Sequence, residues 1–149
     1  MRVPEIRDIV PHAGKMMLLD RLVASDAESL TAELTIRADA LFARAPGVGA
    51  WVGIEYMAQA IAAFAGNEAL RRGEKAKVGF LVGTRHYACN VSYFPIGATL
   101  RVSVRRDVQG DNGVGSFTCS IVGEGIAAEA VVTVIQPDNL GPFISDVNA

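Results

Sequence analysis

The amino-acid sequence predicts an α+β fold in which one long central helix is wrapped by a curved antiparallel β-sheet. The helix is predicted over residues 53–72, GIEYMAQAIAAFAGNEALRR, which contain no proline and are rich in strong helix formers. Apolar or small residues occupy nearly every side of its first four turns, which is typical of a helix enclosed by other elements. Basic residues followed by Gly73 form the kind of ending that stops a helix.

Strands are predicted on both sides of this helix. Residues 29–37, SLTAELTIR, alternate apolar and polar side chains with a period of two. After the helix, QGDNG and Gly123-Glu124-Gly125 are turn signals typical of hairpins. They separate strands predicted over residues 76–89, 99–108, 114–123 and 125–137. Only a sheet curled around the helix buries it on most sides, and that arrangement is the hotdog fold.

The chain length of 149 residues predicts a single domain, with a core over residues 5–137 and a tail over 138–149. The net charge is −2, and its 14 basic and 16 acidic residues are scattered along the chain. Without a basic run, nucleic acid is not an expected binding partner.

Two further patterns concern location and metals. The apolar stretch over residues 50–70 is interrupted by polar residues such as Glu55, so no membrane span is expected. The first residues lack the apolar core of a signal peptide, which favours a cytoplasmic protein. Cys89 and Cys119 stand apart, without the clustering of a metal site, and are expected to be small buried residues.

Three segments carry a resemblance to a known family. They are EIRDIVPHAGKMMLLDRL at residues 5–22, GIEYMAQA at residues 53–60 and VGTRHYACNVSYFPIGATLRVSV at residues 82–104. Their order and spacing resemble the 3-hydroxyacyl-acyl-carrier-protein dehydratases of fatty-acid synthesis, over roughly residues 5–137. The resemblance implies a hotdog protein, and many hotdog proteins dimerise by continuing the sheet across two protomers.

One segment departs from the family. The dehydratases have a His-Phe-x-Gly segment shortly before the helix, and it supplies their catalytic histidine. The corresponding residues 38–53, ADALFARAPGVGAWVG, contain no histidine, and Leu41-Phe42 stands roughly where His-Phe is expected. The pattern is most similar to a divergent branch of predicted dehydratases, some of which accompany aryl-polyene-type pathways.

Glu55 is the first candidate catalytic residue. Dehydration of a 3-hydroxyacyl thioester needs a base, an acid and hydrogen-bond donors for the thioester oxygen. The resemblance implies that backbone N–H groups near Gly53 are those donors, and a glycine there allows close approach. Glu55 would lie in the first helical turn, where the helix dipole favours a carboxylate. The alternative is a structural glutamate bonded to the helix-start amides or to Gln59.

Other polar candidates have open alternatives. Gln59 lies one turn after Glu55, where it could orient that carboxylate, brace the opposite strand or satisfy the core. His12 could replace the missing catalytic histidine if its segment folds over the pocket, or it could be a structural loop residue. His86 faces either the pocket or water, depending on strand register.

Aromatic residues give a further set of candidates. They are predicted to line an acyl or aryl tunnel or to belong to the core, and they are Trp51, Tyr56, Phe64, Phe80 and Phe94. PGVG at residues 46–49 resembles no nucleotide-binding loop, so no cofactor is expected.

Three functions therefore stay open. The first is a dehydratase of 3-hydroxyacyl thioesters, carried by acyl carrier protein or coenzyme A, in fatty-acid or polyene-type biosynthesis. It would use Glu55 with His12 or His86. The second is a hotdog thioesterase using Glu55, which needs no histidine. The third is a noncatalytic subunit that supports a catalytic relative. The assembly could be a homodimer or a heterodimer with a related hotdog subunit.

Overall fold

The computed structural model describes residues 5–10, 14–74, 80–109 and 114–135. Its main feature is a six-stranded sheet in the order β1-β2-β7-β8-β9-β5, with antiparallel pairing between all neighbours. β1 and β5 form the two edges of this sheet. The strands are β1 Arg21–Ser25, β2 Ser29–Thr35, β5 Phe80–Cys89, β7 Thr99–Gln109, β8 Val114–Gly123 and β9 Ile126–Ile135.

The second sheet is small and lies beside the start of the main helix. Its order is β3-β4-β6, and its strands are β3 Ala43–Arg44, β4 Gly47–Gly49 and β6 Tyr93–Pro95. The helices are α1 Ile6–Ile9 and α2 Gly53–Arg71, with 3-10 turns at Gly14–Met16 and Ala50–Val52. The second of these turns runs directly into α2.

The core lies between α2 and the inner face of the six-stranded sheet. Alternate residues of β9 point inward, and those at Ile126, Ala130 and Val132 are buried. β8 contributes Phe117 and Ile121 in the same way. The period-two pattern therefore places one face of each strand against the helix.

The predicted hotdog fold is confirmed by this arrangement of one long helix on a large antiparallel sheet. The predicted helix and the four strands after it are present, and β2 corresponds to the strand predicted before it. β1 and the small sheet were not predicted, because their strands are short or poorly alternating. The turn residues 110–113 and the tail 138–149 lie outside the described residues.

The helix is not enclosed on all sides, and that expectation was wrong. One stripe along α2 is only half-buried, whereas its other faces pack against the six-stranded sheet, α1 and the segment before β1. The stripe is made of small and apolar residues at helical spacing, namely Ile54, Ala58, Ala62, Ala65 and Ala69. We call it the open stripe.

The described part of the chain contains no helix long and apolar enough to cross a membrane. Cys119 is buried in the core and Cys89 is half-buried, and both are free thiols.

Gly66 fixes the packing of α1 against α2. A methyl group at this position would overlap the carbonyl oxygen of Ile9 and lie 2.8 Å from its carbonyl carbon. We expect Gly66→Ala to displace α1 and lower the free energy of unfolding by about 1–3 kcal/mol. Chemical denaturation measures this change. Gly83→Ala is the matched control, because a methyl group there meets nothing within 4 Å. Equal stabilities of the two variants would contradict the close contact.

Candidate functional site

Glu55 lies in the first turn of α2, and its side chain is exposed. It makes no hydrogen bond or ion pair within the described part of the chain. The position is therefore not a dry interior, as the apolar sequence around it suggested. The alternative of a structural glutamate saturated by helix-start amides or by Gln59 is also wrong for this structure. Glu55 is a carboxylate presented at the surface of one chain.

Gln59 has a structural task elsewhere. Its side chain is only 3% exposed, and its Oε1 accepts a hydrogen bond of 2.9 Å from the backbone N–H of Leu18. Its Nε2 donates to the carbonyl oxygen of Met16. Gln59 therefore braces the segment that leads into β1, rather than orienting Glu55 or bracing the opposite strand.

Gly53 is the first residue of α2, but its surroundings differ from the expectation. Its backbone N–H donates to the carbonyl oxygen of Ala50 in the preceding 3-10 turn. A methyl group on Gly53 would overlap the hydroxyl oxygen of Tyr87 and lie 3.2 Å from Cζ of that ring. The space that the glycine leaves is thus filled by a tyrosine, and its N–H is already engaged. Neither is available to a thioester from this side.

Tyr87 was not singled out by the sequence, yet it contacts the helix start directly. Its hydroxyl donates a hydrogen bond to the carbonyl oxygen of Ala50. Burial raises the pKa of Tyr87 to about 12, so the hydroxyl keeps its proton at neutral pH. No local motif marks this residue, because the contact depends on how β5 is bent.

The bend in β5 lies at His86. The pairing of β5 with β9 shifts between Arg85 and Ala88, and His86 has a φ of 58°. This left-handed conformation costs a residue other than glycine on the order of 1 kcal/mol. The His86 side chain is exposed, which answers the question of register left open by the sequence. His12, the other candidate histidine, lies outside the described residues.

Trp51 is the most exposed large apolar residue near the helix start, at 64% exposure. Its indole stands edge-on to the Phe42 ring, with centroids 5.7 Å apart, and lies over Gly49. These residues line an open cleft of about 480 Å³ together with Leu41 and Arg44. Leu41, at the place where the dehydratases are expected to have histidine, therefore lies in a cleft beside the helix start.

The remaining aromatic candidates belong to the core. Phe94 is fully buried and packs against the buried Tyr56, with ring centroids 5.9 Å apart. Phe64 packs edge-on against Phe117 at 5.6 Å. These contacts fit the core alternative for the three residues. The side chain of Phe80 lies outside the description.

Among the described residues, no group of three His, Cys, Asp or Glu side chains could hold a metal ion. At the start of α2, the structure presents the side chain of Glu55 beside a turn that is held by Tyr87.

The family model of the ApeP-like proteins, described as ApeP dehydratase, matches residues 4–145. This match covers all three segments that carry the resemblance to dehydratases. No curated protein matches the chain.

Solved structures similar to this chain share its fold. A chain of the dehydratase heterocomplex ApeI:P from Xenorhabdus doucetiae superposes with a TM-score of 0.88 and 27% identity, covering 99% of this chain and 100% of that one. The PaaI protein of the E. coli phenylacetic acid degradation operon gives a TM-score of 0.60 and 14% identity, covering 76% and 80%. A hypothetical thioesterase with coenzyme A from Streptococcus pneumoniae gives 0.58 and 8%, covering 78% and 87%. The last two show the fold alone.

Proposed function

We propose that this chain, which belongs to the ApeP-like dehydratase family, is one subunit of a two-subunit dehydratase and supplies Glu55 to a site completed by a second hotdog subunit. The substrate is a 3-hydroxyacyl thioester, which loses water to give a 2-enoyl thioester. The second subunit supplies the histidine that this chain lacks between residues 38 and 53.

The observation that carries this proposal is the exposure of the Glu55 side chain at the start of α2. The carboxylate is exposed and has no hydrogen bond or ion pair within the described residues. An acid or base in catalysis needs a position within hydrogen-bond reach of the substrate, and it works best where water is excluded. One chain alone does not exclude water from Glu55, so a second surface is needed to build the site.

The open stripe supports the same conclusion. It begins beside Glu55 and continues as alanines for about three further turns of α2. An exposed helix face normally carries charged residues, whereas an uncharged face is suited to burial against another protein. The similar solved structure from Xenorhabdus doucetiae is described as a heterocomplex. We propose that a related hotdog subunit packs against the open stripe.

The chemistry divides between two groups. A base removes the proton from C2 of the acyl chain, and an acid donates a proton to the hydroxyl on C3 as the C–O bond breaks and water leaves. The neutral imidazole of the second subunit removes the proton from C2, and Glu55, as its carboxylic acid in the closed site, donates its proton to the departing C3 hydroxyl. One proton is removed and one is delivered, so the reaction needs no metal or redox cofactor.

The resemblance to dehydratases of fatty-acid synthesis supports a proposal for the pathway. We propose that the acyl group belongs to fatty-acid or polyene-type biosynthesis and is carried by acyl carrier protein or coenzyme A. The chain is then a biosynthetic enzyme subunit of the cytoplasm.

Reconstitution tests this function. The chain is purified alone and also together with a hotdog subunit from the same source that carries the His-Phe-x-Gly segment. Both samples are given a 3-hydroxybutyryl thioester, and the absorbance of the conjugated enoyl product is followed. We expect no dehydration by the chain alone and steady turnover by the complex, because only the complex contains both the carboxylate and the histidine.

Three outcomes would overturn the proposal. Dehydration by the chain alone at the rate of the complex would show that the site is complete in one chain. Release of free thiol without enoyl product would favour the thioesterase alternative. A complex that turns over no 3-hydroxyacyl thioester would exclude the dehydratase function.

A further inference from the structure

We propose that Tyr87 is a positioning residue, which holds the start of α2 and thereby sets the place of Glu55. This inference deepens the proposed function and rests on it, since Glu55 is the group that is positioned. It assigns to the edge strand β5 a role in the site.

One carbonyl group in the turn before α2 accepts two hydrogen bonds. The carbonyl oxygen of Ala50 accepts hydrogen bonds from the N–H of Gly53 and from the hydroxyl of Tyr87. The N–H of Ala50 donates to the carbonyl oxygen of Ser92 at 3.0 Å. The 3-10 turn before α2 is therefore held both by the chain near β6 and by a side chain from β5.

Tyr87 is also in close steric contact with Gly53. The hydroxyl of Tyr87 occupies the volume in which a Cβ of residue 53 would lie. Gly53 is in a helix and has no positive φ that would require glycine. Its missing side chain is accounted for by Tyr87, because any larger residue would push the tyrosine and the helix start apart.

The backbone of β5 is irregular around Tyr87. Tyr87 comes from a strand of the sheet, and its hydroxyl reaches the start of α2 from the part of β5 that is irregular between Arg85 and Ala88. His86 takes the left-handed conformation there with a φ of 58°. The strand thus adopts an unfavourable backbone angle at the residue next to Tyr87. Glu55 lies two residues after Gly53, so a shift of the helix start moves its carboxylate.

A substitution cycle tests the contact. Gly53→Ala alone should lower the melting temperature, because the new methyl group overlaps the Tyr87 hydroxyl. In the Tyr87→Phe background the same change should cost much less. The nearest remaining atoms are Cδ1 of Ile121 at 3.1 Å and Cζ of the ring at 3.2 Å, and alanine is the better helix former. If Gly53→Ala lowers the melting temperature equally in the wild-type and Tyr87→Phe backgrounds, the contact is contradicted.

Catalysis tests the positioning. In the complex that shows dehydratase activity, Tyr87→Phe should lower kcat on the order of tenfold while KM stays unchanged. Tyr93→Phe is the matched control, because the Tyr93 hydroxyl has no hydrogen bond within the described residues. Unchanged kcat in Tyr87→Phe would overturn the proposal and leave the dehydratase function intact. An inactive wild-type complex would instead overturn the dehydratase function.

A third readout does not depend on turnover. Trp51 is the only tryptophan of the chain and lies directly after Ala50. If Tyr87 holds this turn, Tyr87→Phe should increase the quenching of tryptophan fluorescence by acrylamide, whereas Tyr93→Phe should not. Equal quenching in wild type and Tyr87→Phe would show that the turn is held without the hydroxyl, and the proposal would fail even if the complex proves inactive.

Discussion

Replacing Glu55 with glutamine should abolish dehydration by the two-subunit enzyme while leaving the complex assembled. The change is nearly isosteric, but it removes the negative charge and the ability to give or take a proton. General acid–base catalysis contributes about 10²–10⁴ to the rate, and kcat should fall by a factor in that range. KM should change little, because the side chain keeps its size and still carries one acceptor oxygen. Steady-state kinetics with a 3-hydroxybutyryl thioester measures both constants.

A matched control is available for this prediction. Glu124 is an exposed carboxylate in the turn between β8 and β9, on an element other than α2. Glu124→Gln removes the same charge and should retain wild-type kcat. Undiminished turnover by Glu55→Gln would exclude Glu55 from the mechanism. Loss of the complex in that variant would assign the residue to assembly instead of catalysis.

Ala62→Arg should prevent the association with the second subunit. Ala62 is half-buried in the middle of the open stripe, so an arginine there can extend into solvent in the isolated chain. In the complex the same charge would be buried without an opposite charge, which costs about 3 kcal/mol or more. The dissociation constant should therefore rise at least about a hundredfold. Sedimentation of the mixed subunits measures this change.

The control for assembly is Ala24→Arg. Ala24 is exposed on β1, outside the open stripe, and should tolerate arginine without loss of affinity. The melting temperature of each isolated variant shows whether the chain still folds. If Ala62→Arg associates as tightly as wild type, the stripe is not the contact surface. Activity should fall in parallel with association, because the site is shared.

Much of the fold could be predicted because its elements have strong local patterns. The helix from Gly53 to Arg71 has uninterrupted helix formers and a basic last turn, and β9 alternates clearly along its length. The family resemblance, which is confirmed, rested on three segments in a fixed order. The two-residue strand β3 offers no periodic pattern, and no reading of the sequence alone would identify it.

The surroundings of Glu55 could not be predicted for a different reason. An apolar face predicts burial, but the sequence does not say whether the covering surface belongs to the same chain. The glutamate was therefore expected in an interior and is found at the open side of the helix. Its helical position was predicted correctly from the same segment.

Contacts between residues far apart in the sequence are the other feature that could not be predicted. Gln59 bonds to Met16 and Leu18, which lie more than 40 residues earlier in the chain. The Tyr87 hydroxyl bonds to Ala50 from a strand whose backbone is irregular at the neighbouring His86. Neither contact leaves a periodic signal. A glycine at the first position of a helix, without a turn that requires it, is the one local hint that a bulky group stands nearby.

The irregular course of β5 limits which strands can pair with this edge of the sheet. An edge strand exposes unpaired amide and carbonyl groups that any extended peptide can match, which is a general cause of amyloid-like growth. β5 departs from regular register twice, between Leu81 and Gly83 and between Arg85 and Ala88. A foreign strand with uniform spacing would mismatch at both points, whereas a counterpart with complementary bulges would fit. The two register shifts in β5 therefore disfavour the edge-to-edge addition of regular strands, and they also bend the strand.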